Sequence, residues 1–356
     1  MKLRIDFRPS IVVMLLALAA VLAWAATCFT WIALPVALFY SLLLMLGLLA
    51  LARIAKLERW MEWNEPGRLL ILAPHEDDCV IAAGGLGLRN VRLGGATRIV
   101  YLARDENPGL PERREAEARA AWRIAGLGEA DLVFLDLMPP LERRDPARLR
   151  AAEVVLREIV DDFKPTTIVM PAFEGGHIHH DMVAALVSRI VRPSDRIAVF
   201  EAPEYTPYAS LINTPHRILS LAARWLLGLV AYNGPPDGVD GRPVFKLRLT
   251  HGELDTKRRM LGAFGSQNAP SLVATRSYPD RLVVHDAVRR PDRPFDFDRS
   301  CLRFVLALRR LVPAQLVDRL LPLQLGTIGR MGTITDWNAE WAEHGPRAAG
   351  RHPPDP

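Results

Sequence analysis

Two short segments carry most of the side chains that could do chemistry. One reads Ala73-Pro74-His75-Glu76-Asp77-Asp78-Cys79, followed by Ala83-Gly84-Gly85; the other reads Pro171-Ala172-Phe173-Glu174-Gly175-Gly176-His177-Ile178-His179-His180-Asp181. A His and a carboxylate from the first, joined by a His from the second, make a three-ligand set with one coordination position open, the pattern of a catalytic zinc site as opposed to a closed structural one. A further carboxylate beside such ligands can take a proton from water, whose pKa a zinc ion lowers. Taken singly, adjacent Asp residues after a strand often only cap a helix, and His-rich loops can be solvated turns. The joint placement of the two segments favours the metal.

That placement depends on the elements on either side. Arg68 to Ala73 is a short apolar run ending at Pro74, as expected of a buried parallel strand. Further strands are expected over 97–102, 132–135, 167–170 (ended by Pro171) and 197–200. Between them, 80–91, 111–125 and 148–163 read as helices, the second Ala-rich with alternating charge. Strand, crossover helix and strand in repetition imply an α/β fold, Rossmann-like and three-layered, with a mostly parallel sheet covered on both faces. Ligands on such sheets bind beyond the carboxyl ends of the strands, where both reactive segments fall. Gly84 and Gly85 are expected to serve close helix-to-sheet packing.

The composition is unevenly distributed. The chain has 356 residues, 50% hydrophobic and 24% charged, with net charge +5, yet the 42 residues from Ile11 to Ala52 hold no Asp, Glu, Lys, Arg or His. A single helix of that length is about twice the hydrocarbon thickness of a bilayer, so two transmembrane helices are expected, about 11–30 and 36–53, with Pro35 in the connection. Lys2, Arg4 and Arg8 before the run, and Arg53, Lys56 and Arg59 after it, place both flanks, and all that follows, on the cytoplasmic side of a multi-pass inner-membrane protein. A cleaved signal peptide at Ala23-Trp24-Ala25 leaves Val36 to Ala52 unexplained. Cys28, Cys79 and Cys301 are far apart, which suits a reduced compartment. Two later basic apolar segments, 217–232 and 301–325, read either as core helices or as membrane-surface helices. The basic balance comes without a nucleic-acid-reading motif and fits anionic lipid instead, so membrane lipids are the expected partners and nucleic acid is not.

The two reactive segments resemble the PIG-L/LmbE-like zinc deacetylases, whose signature is a strand followed by [AP]-H-P-D-D-E and a later G-H-x-D-H. Here these stand as Pro74-His75-Glu76-Asp77-Asp78-Cys79 and Gly176-His177-Ile178-His179-His180. Arg114-Glu115-Ala116-Glu117-Ala118 is similar to the family's R-x-x-E-A helix, and Lys257 with Ser266-Gln267 to its K…Y-x-S-Q segment. The resemblance covers roughly 67–270 and implies one zinc per chain held by His75, Asp78 and His180. It implies Asp77 as general base and His177 as the group that stabilises the oxyanion or protonates the leaving amine. Arg114 reads either as a cationic fork for a substrate phosphate or hydroxyl or as a solvated arginine paired with Glu117. Ser266 and Gln267 read as a substrate-side loop or as a helix cap.

Three positions depart from the signature. Glu76 replaces a Pro and sets another carboxylate beside the base. Cys79 replaces a Glu, with loss of a supporting hydrogen bond. His179 replaces the acid that orients the catalytic His, a role Asp181 or Glu174 can take over, and it also competes with His177 and His180 for the metal. The domains expected are a membrane anchor over 1–60, a deacetylase domain over 61–275, an amphipathic helical extension over 276–344 and a disordered tail over 345–356. The function expected is removal of an N-acetyl group from an amino-sugar conjugate, lipid-linked or otherwise membrane-associated. The alternative is an impaired relative that acts as a membrane-bound binding or scaffold protein.

Overall fold

The structure is a computed structural model that describes residues 9–137, 146–172, 178–192, 195–202 and 243–285, with positions 204 and 313. The expected segments 217–232 and 301–325 and the tail 345–356 lie outside the described residues.

Eight strands form one mixed sheet: β1 (Glu58–Met61), β2 (Arg68–Ala73), β3 (Ala96–Tyr101), β4 (Leu132–Phe134), β5 (Thr167–Pro171), β6 (Ala198–Ala202), β7 (Val244–Leu247) and β8 (Arg281–Val284). Their order is β1-β7-β8-β6-β5-β2-β3-β4. Every pairing is parallel except those of β8 with β6 and β7. The mostly parallel sheet is thus observed, and the strands and crossover helices expected between 68 and 200 begin and end within two residues of the observed ones. Pro171 is the last residue of β5, and the sheet runs past the expected limits of 61 and 275 at both ends.

Helices cover both faces. On one, α5 (Pro146–Phe163) and α6 (Ile178–Ile190) bury Leu156, Val160, Val183 and Leu186 against Leu70, Leu72, Ile168 and Met170. On the other, α3 (Asp78–Arg92), α4 (Leu110–Ala125) and α7 (His251–Leu261) pack Val80, Leu86, Trp122, Met260 and Leu261 on Leu69, Ile71, Ile99 and Tyr101. Burial of each large apolar side chain contributes about 1.5–3 kcal/mol. Helix α4 is bounded by left-handed glycines, Gly109 (φ 78°) and Gly126 (φ 95°), with Pro111 in its first turn, so its ends are fixed by residues that suit them. A short helix, α8 (Ala269–Arg276), precedes β8.

Helix α3 is two helices joined at a kink at Ala83 (φ −140°, ψ 20°). Its second half begins at Gly84-Gly85, where a Cβ on Gly85 would lie 2.5 Å from Leu249 Cδ1 and 3.0 Å from Asp280 Oδ2. The close packing expected there is observed, although against Leu249 and Asp280. The freed amides of Gly85 and Leu86 donate to Asp280 (3.3 and 2.6 Å), which also pairs with the fully buried Lys257 at 2.5 Å.

The apolar N-terminus forms α1 (Pro9–Thr27) and α2 (Leu34–Leu57). Trp24 Nε1 donates to Ser41 Oγ (2.9 Å), and Leu16 packs on Tyr40, Leu43 and Leu44, so the two helices touch. Pro35, expected in the connection, lies in the first turn of α2, where its missing N–H is tolerated. Within the described residues only Trp31–Leu49 is long and apolar enough to cross a membrane; the apolar stretch of α1, Val13–Thr27, is shorter. The helices expected over 11–30 and 36–53 are observed as Pro9–Thr27 and Leu34–Leu57, and the stretch long enough to span lies in the second.

Candidate metal centre

The centre of the sheet sets the site. From β2 the chain moves to β3 and β4 on one side, while from β5 it moves to β6 on the other, so a crevice opens between the carboxyl ends of β2 and β5. The loop after Ala73 and the start of α6 meet there. The backbone N–H of His75 donates to Asp78 Oδ2 (3.0 Å), which folds the first loop back on itself. The same Oδ2 lies 2.9 Å from His75 Nδ1 and 3.1 Å from His180 Nε2. One nitrogen from each of His75 and His180 and one Asp78 oxygen fall within 4.8 Å of one another. Two imidazoles and one carboxylate, with Asp78 and His180 both buried, are a donor set that suits zinc or a similar divalent cation.

The electrostatics follow from that geometry. Burial works against the ionised form of Asp78, but the charges and hydrogen bonds of His180 and His75 outweigh it and hold the carboxyl well below its ordinary range. Burial lowers His180 against the opposing pull of Asp78, which favours the neutral imidazole that a metal requires. His75 is half-buried; desolvation works against its charged form, but the hydrogen bond and charge of Asp78 prevail and raise it. Asp77 stands at the N-cap of α3 in helical backbone conformation and its side chain makes no capping bond, so helix capping does not explain it. Burial, reinforced by the negative charge of Asp78, pushes the Asp77 carboxyl up to about 7, near the value that suits proton transfer at neutral pH.

Each departure has a place. Glu76 is buried, its carboxyl pushed up by burial, and Gln267 Nε2 donates to its Oε2 (3.3 Å). A small pocket beside it is lined by Arg104, Glu115, Phe134 and Asp136. Cys79 keeps a supporting role: its Sγ donates to the Glu76 carbonyl (3.2 Å) and accepts from Trp122 Nε1 (3.1 Å), with Tyr101 Oη also at 3.1 Å. Burial pushes this thiol well up, so it is a packing element. His179 Nδ1 lies 2.8 Å from His75 Nε2, which sets it behind one of the three donors. His177 and Glu174 lie outside the described residues, as does the side chain of Asp181.

Arg114 pairs with Asp105 (3.2 Å), not with Glu117. Glu117 instead accepts from Arg113 Nε (3.2 Å) and from the amide and hydroxyl of Ser266 (2.9 and 2.6 Å). Ser266 therefore fastens the turn before α8 to α4, and Gln267 next to it reaches Glu76. Two contributors have no motif that could have revealed them: Asp105, which holds Arg114, and Arg276, whose charge lowers His180 and whose Nη1 donates to the Glu204 carbonyl (3.1 Å).

Residues 70–191 match the family described as PIG-L, GlcNAc-PI de-N-acetylase. The chain is 29% identical over 164 residues to the 2'-N-acetylparomamine deacetylase of Streptomyces fradiae, the match covering 40% of this chain and 58% of that enzyme, so it spans little over half of that relative. Among solved structures, a deacetylase triple mutant of the teicoplanin biosynthetic pathway aligns with TM-score 0.43 and 16% identity over 61% of this chain and 97% of that one. The N,N'-diacetylchitobiose deacetylase of Pyrococcus horikoshii aligns with TM-score 0.33 and 15% identity over 62% and 85%. The matched segment holds β2, β5 and both reactive loops.

Proposed function

We propose that the chain is a membrane-anchored, zinc-dependent N-deacetylase acting on an N-acetylated amino-sugar conjugate at the cytoplasmic face of the inner membrane. The observation that carries this reading is the meeting of His75, Asp78 and His180 beside the half-buried Asp77. His75, Asp78 and His180 hold the metal, one per chain. A zinc ion bound there supplies Lewis acidity, which lowers the pKa of water and polarises a carbonyl.

The chain's own groups do the rest. Asp77 accepts a proton from the attacking water, whose oxygen bonds to the acetyl carbon. His177 meets the charge that develops on the acyl oxygen and protonates the leaving nitrogen, the C–N bond breaks, and acetate and a free amine depart. His179 orients His75 from behind, and Asp181 supports His177. Arg114, held by Asp105, faces the sugar conjugate together with Gln267, while Ser266 fixes that turn. The catalytic domain extends over 58–285, so that the outermost strands of the sheet belong to it.

The membrane part rests on the run without charges and on α2, whose Phe39, Leu42, Met45, Leu48 and Leu49 are exposed. Apolar surface on that scale fits lipid. In this reading α1 inserts beside α2, and tethering confines the enzyme to a membrane-associated, lipid-linked N-acetylglucosaminyl substrate.

Purified full-length protein is expected to carry about one zinc per chain and to release acetate from an N-acetylglucosaminyl lipid. Protein that binds no divalent metal overturns the reading, and metal without acetate release leaves a binding or scaffold protein.

A further inference from the structure

The end of the sheet remote from the metal centre carries a surface that the proposed reaction does not use. The register sets Trp60 of β1 opposite Lys246 of β7, and Lys246 opposite Arg281 of β8, so these three side chains form one row across three strands. Met61 and Leu247, on the opposite face of the same strands, pack into the core. The row therefore lies on the outer face, where Trp60 is 56% exposed.

The row is both cationic and aromatic. Lys246 Nζ stands 4.9 Å from the Trp60 ring centroid and the Arg248 guanidinium 5.5 Å from it. Lys56, in the last turn of α2, is exposed. Glu58 accepts from Lys246 (3.1 Å) and lies 3.9 Å from Arg281, while Arg248 pairs with Glu62 across 3.6 Å with both side chains more than half exposed. The Arg248–Glu62 pair is held weakly, whereas Lys246 and Arg281 show about a fifth of their side chains to solvent and are held more firmly by the mostly buried Glu58. Among the described residues Lys56, Lys246, Arg248 and Arg281 outnumber Glu58 and Glu62, so the face keeps a positive balance.

Its position relative to α2 determines what it meets. Helix α2 ends at Leu57 and β1 begins at Glu58 with no linker between them. The charge-free run ends at Ala52, and the five further helical residues to Leu57 rise about 7.5 Å, enough to clear the hydrocarbon and reach the headgroup layer. An exposed Trp flanked by cations at that depth is the composition of an interfacial anchor.

We propose that the Trp60–Lys246–Arg281 row, with Arg248, is a docking surface for anionic phospholipid headgroups that seats the sheet edge on the bilayer. The inference rests on the membrane reading above. Trp60 lies at the headgroup boundary, the cations bind lipid phosphate, and the sheet is held at a fixed attitude so that the opposite, metal-bearing strand ends keep one orientation to the membrane. Lys246 and Arg248 reach this surface only through the β1–β7 pairing, because they lie far from α2 in the chain.

The test uses the full chain in neutral detergent, mixed with equal amounts of dioleoylphosphatidylglycerol and dioleoylphosphatidylcholine, with the bound lipids counted by native mass spectrometry. Wild type is expected to prefer phosphatidylglycerol, and the preference to fall about five-fold for each cation removed in Lys246→Gln and Lys246→Gln/Arg248→Gln. The charge-keeping Lys246→Arg variant retains it, which separates charge from folding, and inorganic phosphate at the same concentration does not displace the lipid. An unchanged ratio in the double variant, with an unchanged melting temperature, overturns the proposal. Alkaline carbonate extraction of native membranes tests the anchor separately: release of the chain sinks the membrane reading, whereas retention with an unchanged lipid ratio sinks only the docking surface.

Discussion

Helix α3 touches two buried carboxylates that look alike by burial and differ in what surrounds them. Asp78, in its first turn, lies between the imidazoles of His75 and His180. Asp280, at its kink, accepts from Lys257 Nζ and from the amides of Gly85 and Leu86, and Lys257 spends its other donors on the carbonyls of Ile81 (2.9 Å) and Tyr278 (3.2 Å). The Asp280 set is closed, because an ammonium ion and backbone groups supply every partner and none can be exchanged for a ligand. The Asp78 set is made of groups that can give up a proton and take a metal instead. Burial of a charge is therefore a weak sign of function, and the chemistry of its partners is the informative one.

The largest effect is expected at the closed pair. Lys257→Met leaves Asp280 buried without its cation, which costs about 3–5 kcal/mol and lowers the melting temperature by about 10 °C or more. Thermal unfolding of the variant measures this, and melting within about 2 °C of wild type breaks the comparison. Asp78→Asn is expected to behave in the opposite way: bound zinc falls to less than about a tenth of wild type by metal analysis, while stability without metal changes by no more than about 1 kcal/mol, since an amide can still bond to neutral imidazoles. A collapse of stability in Asp78→Asn makes it a structural pair like the other.

Asp77→Asn sharpens the same contrast from inside the site. It is expected to lower acetate release by about 10²–10⁴-fold and to leave the zinc content unchanged, because Asp77 stands beside the donors without being one of them. Loss of metal together with activity would move Asp77 into the ligand set.

The comparison also shows what could be read from the sequence. Strands β2 to β6 were legible because each is a short apolar run, and the two reactive loops were legible because they follow neighbouring strands β2 and β5. Strands β1, β7 and β8 were not. Each is four residues long and partly buried, with no run of alternation, and Glu58–Met61 merges with the basic flank of the apolar segment. The partners of Asp280 and Arg114 were hidden for a related reason. Lys257 is 23 residues from Asp280 with no local pattern between them, and the spacing of Arg114 and Glu117 on a helix suggests a pair that the fold divides between Asp105 and Ser266.

A third carboxylate lies at the far end of α3 and gives the smallest and most graded effect. Glu253 is the N3 residue of a capping box with Thr250: it accepts from the Thr250 amide (2.7 Å) and hydroxyl (2.9 Å), and its own amide donates back to Thr250 Oγ1 (3.2 Å). It also accepts from Arg89 Nε and Nη2 of α3 (2.9 and 2.5 Å). Burial works against its ionised form, but these donors outweigh it and hold the carboxyl at about 2. The folded value lies below the ordinary value of about 4.3, so the native state binds fewer protons than the unfolded one through that interval. The stabilisation is therefore complete above about pH 4.3 and is lost as the pH falls toward 2. Glu253→Gln is expected to reduce stability by about 1–2 kcal/mol at pH 7, discounted for partial solvent screening, with the gap to wild type closing between pH 4.3 and 2. Denaturant unfolding at stepped pH measures the gap. A difference that persists unchanged at pH 2 means that Glu253 acts through packing between α7 and α3, and its charge then belongs with neither the closed set nor the open one.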